Sequence, residues 1–258
     1  MGANDGVNRP VKTVDTVFGV IEALRELDGG TVTEVADHLG LAKSTVHDHL
    51  TTLHDKEYVV KEGTTYQVGL RFLDKGNYAR ANKEILEASR PTLDELAAET
   101  GEIVWLYVEE HGKAVVIERV QGEHAVSTVG RVGLRTPIHA PAAGKAMLAH
   151  VPEERVEEIV DRYGLPAVTE NTVTDADRLF EELETVRERG FALNDEETRP
   201  GLRAVGSAVV CDGRVIGAVS VSGPLNRLRG DRFRERIPNH VLGAANAIEL
   251  MISESGNQ

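Results

Sequence analysis

In the run KSTVHDHLTTLHD, Val46, Leu50 and Leu53 recur at i, i+4 and i+7 and so form one apolar stripe of a short helix. That leaves Lys43, Ser44, Thr45, His47, Asp48, Thr51 and Thr52 facing outward. Side chains of these types and sizes reach base edges and phosphates in a DNA major groove. A helix used only for packing is the bland alternative. Asp48 has three readings: an acceptor for cytosine N4, a holder of a hydrated cation against phosphate, or an acid facing solvent. His47, His49 and His54 suggest a metal, but residues two apart on a helix diverge by about 200°, so His47 and His49 cannot share an ion within it.

A second set of candidates lies late in the chain. Ser220 and Ser222 are two apart in GAVSVSG and face one side of a strand, where both hydroxyls can meet one ligand. Residues 140–146, APAAGKA, place small side chains at an expected helix N-terminus, where free N–H groups and the helix dipole favour an anion. Small residues there also permit tight packing of helix on sheet. Enzymatic readings fail on spacing. A phosphate loop built on Gly144-Lys145 needs glycine at 139 and serine or threonine at 146, where His139 and Ala146 stand. SVSGP is not a nucleophile elbow, because Ser220 occupies the position two before Ser222. His139 lacks a neighbouring nucleophile or carboxylate pair and is expected to fix its loop by hydrogen bonds. Asp195-Glu196-Glu197 can attract a cation but reads as solvated acidic surface. No catalytic residue, metal or cofactor is expected.

The elements that must position these residues follow from periodicity and punctuation. Residues 13–27 place Val17, Val20, Ile21, Leu24 and Leu27 at helical spacing before Gly29-Gly30. Thr31 and Glu34 have capping-box spacing ahead of a second helix with Val35, Ala36 and Leu39 inward. The third helix runs from about 44 to 56. YVVKEGTTYQV then alternates around Glu62-Gly63 as a hairpin, with Tyr58, Val60, Tyr66 and Val68 as packing positions. Three helices and a wing predict a winged helix-turn-helix over residues 10–72. A linker helix interrupted at Pro91 is expected over 73–92, and a second unit over 93–255. That unit holds hairpins turning at His111-Gly112 and Asp212-Gly213, helices near 140–150, 153–163 and 175–189, and a closing helix from 237 to 253 with Val241, Leu242, Ala245, Ile248 and Met251 on one stripe. The fold class is α+β, with helices flanking an antiparallel sheet.

Composition sets the conditions under which such a protein works. The 258 residues carry a formal charge of −13, and their 29 basic residues comprise 21 Arg and only 8 Lys. Acids are dispersed along the chain and aromatics are few, as expected of a protein kept soluble in concentrated salt. Residues 10–72 carry six Lys and Arg against ten Asp and Glu, so the DNA-reading unit is itself net negative. Cys211 is the sole cysteine, excluding an internal disulfide and reading as a small core residue. No run approaches the ~18 apolar residues of a membrane span. MGANDGVNRP lacks the apolar core of a signal peptide, so a cytoplasmic location is expected.

Three motifs in order, LAKSTVHDHLTTLHDKEYV, VGLRTPIHAPAAGKAMLAHVPEE and NDEETRPGLRAVGSAVV with GAVSVSGPLNRL, resemble the IclR family of transcription regulators over nearly the whole chain. The resemblance implies a winged helix-turn-helix, a linker helix and a GAF-like effector-binding domain for a small metabolite, commonly a carboxylate or sugar-derived acid. It also implies homodimers, often paired into tetramers, on near-palindromic double-stranded DNA operators. By position it implies an effector pocket at Thr136, Ala142, Ala143, Asn194, Leu202, Ala204, Ser220 and Ser222. Asn194 stands where some relatives have an acid, Ala204 where cysteine is common, and Asp48 where arginine is frequent, so neither ligand nor operator carries over. A sensor whose winged unit has lost DNA affinity is the remaining alternative, with Asp48 its main support.

Overall fold

The computed structural model describes residues 11–126 and 130–255. The leader reading of residues 1–10, and the first residue of the expected 10–72 unit, lie outside them. The chain divides into two compact units, Met1–Ala79 and Arg80–Gln258.

In the first unit, α1 (Lys12–Glu26), α2 (Val32–Leu39) and α3 (Lys43–Asp55) enclose Val20, Leu24, Val35, Ala36, Val46, Leu50 and Leu53. The capping box forms as the spacing requires: Thr31 N–H donates to the Glu34 carboxylate at 2.8 Å, and Glu34 N–H donates to Thr31 Oγ1 at 3.3 Å. Strands β1 (Gly30–Thr31), β2 (Val59–Glu62) and β3 (Thr65–Val68) make a sheet in the order β1-β3-β2. The wing turns at Gly63-Thr64, one residue later than the alternation suggested, because Glu62 pairs with Thr65. A one-residue shift exchanges the faces of a strand. Val59 is therefore buried with Tyr66, while Val60, expected inward, pairs with Gln67 and is 44% exposed.

The segment expected as a linker over 73–92 divides differently. α4 (Arg71–Ala81) buries none of its residues, and the helical run breaks at Asn82-Lys83. Pro91 lies inside α5 (Glu84–Thr100) and does not end it. An interior proline forfeits a helix hydrogen bond and costs about 3 kcal/mol. Burial of Ile85 and Leu86 on one side of it, and Leu93, Leu96 and Ala97 on the other, offsets that cost and keeps both halves helical.

The second unit is built on β4 (Ile103–Glu110), β5 (Lys113–Gln121), β6 (Arg135–Pro137), β7 (Ala192–Asp195), β8 (Leu202–Cys211) and β9 (Arg214–Pro224), antiparallel in the order β6-β5-β4-β9-β8-β7. Both expected hairpins turn where predicted, with positive φ at His111, Gly112, Asp212 and Gly213. The period of two splits the sheet into two faces. Val104, Leu106, Val205, Val209, Val219 and Val221 pack with α5 and α9 (Ile237–Ser255). Ala114, Ala208 and Ala218 meet α6 (Ala142–Leu148), α7 (Glu153–Tyr163) and α8 (Ala176–Arg189) on the other. In α9 the inward line ends on Ile252 rather than the expected Met251, which is 37% exposed, because the 3.6-residue period carries it there from Ile248. A π-helical turn, Arg232–Arg236, precedes Pro238 and was not expected. Cys211 is a buried free thiol. Among the described residues no helix is long and apolar enough to cross a membrane.

Candidate nucleic-acid interface and ligand cavity

On α3 the apolar stripe is fully committed: Val46 and Leu50 have no exposed surface and Leu53 has 6%. Lys43, Ser44, Thr45, His47, Asp48, Thr51 and Thr52 are all exposed. At 100° per residue, Ser44 and Asp48 lie within about 30° of the direction opposite the stripe, Thr51 and Thr52 about 50° to either side of it, and Thr45 and His47 farther round. The hydroxyl of Thr52 is given to the helix itself, donating to the Asp48 carbonyl at 2.9 Å. The Asp48 carboxylate is 3.6 Å from His47 Nδ1, and both side chains are mostly exposed. Asp48 thus has an imidazole neighbour that none of its three sequence readings included.

The predicted pocket residues converge less uniformly. A cavity of about 260 Å³ sits on the second face of the sheet beside the start of α6, and its lining includes Thr136, Ala142, Asn194, Leu202, Ala204, Ser220 and Ser222. Ala143 is not among them. Its backbone N would lie 2.6 Å from a Cβ on Gly206, so the missing side chain at Gly206 lets β8 run directly against α6. Here the packing reading of a small residue holds. Two of the polar positions are spent on the protein. Asn194 Nδ2 donates to the Ala140 carbonyl at 2.7 Å while its Oδ1 accepts from Glu197 N–H at 3.2 Å, and the Ser220 hydroxyl donates to the Val205 carbonyl at 2.8 Å. Ser222 Oγ accepts from Trp105 Nε1 at 2.7 Å and keeps its own proton. Thr136 Oγ1 is covered and has no hydrogen-bond partner among the described residues.

Several contributors were not foreseen. Trp105 and Tyr107 wall the cavity, and Arg131 and Arg199 are exposed at it. Alternation along β4 marks residues 103, 105 and 107 as one face, so the aromatic pair had a signal; the arginines sit in loops that carry none. Burial pushes the Tyr107 phenol far above its usual range, so it stays uncharged. His139 does fix its loop, its Nε2 lying 3.2 Å from the Pro166 carbonyl, and burial holds the imidazole below its usual range, aided by Lys145.

The acidic run 195–197 is solvated only in part: Asp195 is exposed, Glu196 is half-buried and Glu197 is buried, and each carboxylate has a partner within the protein. Asp195 is bound by the Arg203 guanidinium at 2.6 and 2.9 Å, Glu196 accepts from Gly201 N–H at 2.7 Å, and Glu197 is buried. Glu197 meets Lys145, a fully buried lysine whose Nζ donates at 2.6 Å to both Glu197 and Glu182. Lys145 therefore serves as the buried counter-ion of this loop, with no phosphate role. Among the described residues no cluster suits a metal ion.

A helix-turn-helix with its polar face outward, carried on one chain with a sheet unit that encloses a cavity, is the architecture of a ligand-responsive transcription regulator. Two family models match in the corresponding order: the IclR helix-turn-helix domain over residues 13–63, and the bacterial transcriptional regulator IclR C-terminal domain over residues 78–250. The chain belongs to the IclR family of transcription regulators, which are not enzymes. It is similar to a probable HTH-type transcriptional regulator ArcR of Halobacterium salinarum, with 35% identity covering 97% of each chain. It is also similar to the transcriptional repressor IclR of Escherichia coli, with 33% identity covering 87% of this chain and 84% of the relative. Among solved structures, Thermotoga maritima IclR superposes with a TM-score of 0.76 at 26% identity, covering 93% of this chain and 98% of that one.

Proposed function

We propose that the chain is a cytoplasmic, sequence-specific regulator that reads a near-palindromic operator as a homodimer, or as a pair of dimers, and responds to a small organic or sugar-derived acid in its second unit. The observation that carries the DNA half is α3, whose seven polar positions stay exposed while its apolar stripe is wholly used by the core. Support for self-association comes from an apolar line left exposed at the start of α1: its N-cap Val11, then Val14 and Phe18, at 65%, 48% and 60%. The ligand half is supported by the GAF-like reading of the sheet unit and by the cavity. Its mechanism is differential affinity of the acid for one dimer geometry, which biases the operator-binding state.

The charge of the DNA-reading unit governs the test. Six basic against ten acidic residues over 10–72 oppose a polyanion in dilute salt. At 1 M salt the Debye length is about 3 Å and that repulsion is screened. Affinity for the chain's own promoter DNA is therefore expected to rise between about 0.1 M and about 1 M KCl, the reverse of a basic DNA-binding protein. A steep fall over that series would refute the charge argument. The exposed Asp48, with its 83% accessible side chain, favours a second reading in which the winged unit has no DNA affinity. Absence of binding at every salt concentration would support it.

The ligand half has its own check. Ser220→Ala with Ser222→Ala is expected to blunt the operator's response to ligand while leaving DNA affinity intact. Most of the loss is assigned to Ser222, whose proton is free, and Ser220→Ala alone costs about 1 kcal/mol of stability through its bond to Val205. An unchanged response in the double variant would remove the cavity from consideration.

A further inference from the structure

We infer that the second unit holds a separate site for a short, uncharged aliphatic alcohol, in a small cavity beneath α7, and that its occupancy is transmitted to the larger cavity beside α6. Binding there does not depend on what the larger cavity takes.

The small cavity measures about 110 Å³ and lies between α7, the end of α6 and the turn of the hairpin joining β4 to β5. Ile138, Leu148, Val156, Ile159 and Leu179 wall it, and all are buried. The polar side chain sealed among them is His139, which is 2% exposed. Its Nε2 lies 3.2 Å from the Pro166 carbonyl, and a carbonyl only accepts, so Nε2 carries the ring proton and Nδ1 is left as an acceptor. Among the described residues no group donates to Nδ1. Burial, with Lys145 nearby, holds the imidazole below its usual range and so keeps it uncharged. One covered acceptor in an apolar shell calls for one hydrogen-bond donor on an apolar body. Apolar cavities of about 150 Å³ hold benzene, so this one takes roughly four or five heavy atoms. A water molecule needs two to four polar partners to stay, more than this acceptor supplies. A carboxylate would face the Nδ1 lone pair inside, and the ammonium of Lys113 is at the half-buried rim, over the Tyr163 ring.

The two cavities share a wall. Pro137, Ile138 and His139 line the small one, while Thr136, Pro141 and Ala142 line the larger. The stretch 136–142 therefore stands between them and leads into α6. Its Ala140 carbonyl accepts from Asn194, which itself lines the larger cavity. A ligand that fills one side of such a wall biases the arrangement of the other, and the coupling is reciprocal.

The full-length protein, labelled at isoleucine and valine methyl groups, is titrated in molar KCl with butan-1-ol, its isomer 1-methoxypropane, and butanoate. We expect butan-1-ol to bind in the millimolar range and to shift the methyl resonances of Ile138, Val156 and Ile159. The ether has the same heavy atoms but can only accept, and should bind at least about tenfold more weakly; butanoate should be weaker still. Val156→Phe fills the space and should abolish binding, with circular dichroism confirming that the variant is folded; the ligand series on the unaltered chain stands without it. Trp105, the only tryptophan, lines the larger cavity and not the small one, so a change in its emission on adding butan-1-ol reports transmission. Equal affinity for the alcohol and the ether would overturn the role of His139 Nδ1, and butanoate binding as tightly as butan-1-ol would overturn the uncharged class. Absence of shifts at those three methyl positions with every ligand, or undiminished binding to folded Val156→Phe, would overturn the site. Binding with unchanged Trp105 emission would overturn the transmission and leave the site standing.

Discussion

Lys145→Met is expected to destabilise the second unit by about 3–5 kcal/mol, since it strips the counter-ion from a buried carboxylate without removing the carboxylate. The lysine has no exposed surface, and the side chain of Glu197 keeps 9%. Burial already raises the Glu197 carboxyl above its usual value near 4.5, with Lys145 opposing the rise. A carboxyl raised in the folded state binds its proton more tightly there than in the unfolded chain, so its contribution is most favourable in acid and declines as pH climbs past 4.5. Without Lys145 the folded value climbs further, and the deficit of the variant should widen from about pH 5 to about pH 8. Urea melts at the two ends of that range measure it, and Glu197→Gln added to Lys145→Met should recover part of the loss. A deficit that does not change with pH would refute the counter-ion role. The loop held by this contact reaches the cavity, because Glu197 N–H is bonded to Asn194, which lines it.

Ser44→Ala with Thr51→Ala is expected to weaken specific operator binding by about a hundredfold or more, with folding intact. Ser44 sits near the centre of the α3 face opposite the core stripe and Thr51 about 50° to one side of it, and a good base contact contributes about 1–3 kcal/mol of discrimination. In the proposed homodimer two such contacts would recur in each half-site. Thr52→Ala is the internal control: its hydroxyl already donates to the Asp48 carbonyl, so the change should be small. Fluorescence anisotropy with promoter DNA in molar KCl separates the variants, and far-UV circular dichroism checks that the helices persist. Specific affinity unaltered by the double change would mean that another surface of the unit reads the DNA.

Much of the molecule was legible because local rules act within a few residues of the chain. The capping box at Thr31 and Glu34, the positive-φ turns at Asp212-Gly213 and His111-Gly112, and the stripe Val46, Leu50 and Leu53 each depend on spacings of one to seven residues. The wing shows the limit of such rules. Alternation around Glu62-Gly63 pointed to Val60 as the inward residue, and only the pairing of Glu62 with Thr65 put Val59 there instead. Pro91 marks a similar limit, since packing on both sides kept helical a segment that local chemistry would have broken.

The candidate cavity divides along the same line. That Ser220 and Ser222 share a face follows from the two-residue period of a strand, and that much the sequence by itself determined, along with the polar face of α3 and the order of the elements. Which of those hydroxyls stays available, why Ala143 supports β8 instead of lining the space, and why Glu197 is buried against a lysine fifty-two residues away were decided by tertiary structure. The reason is physical: a side chain's hydrogen bonds are settled by the nearest partner in space, and desolvation leaves no buried charge or amide free to ignore that partner.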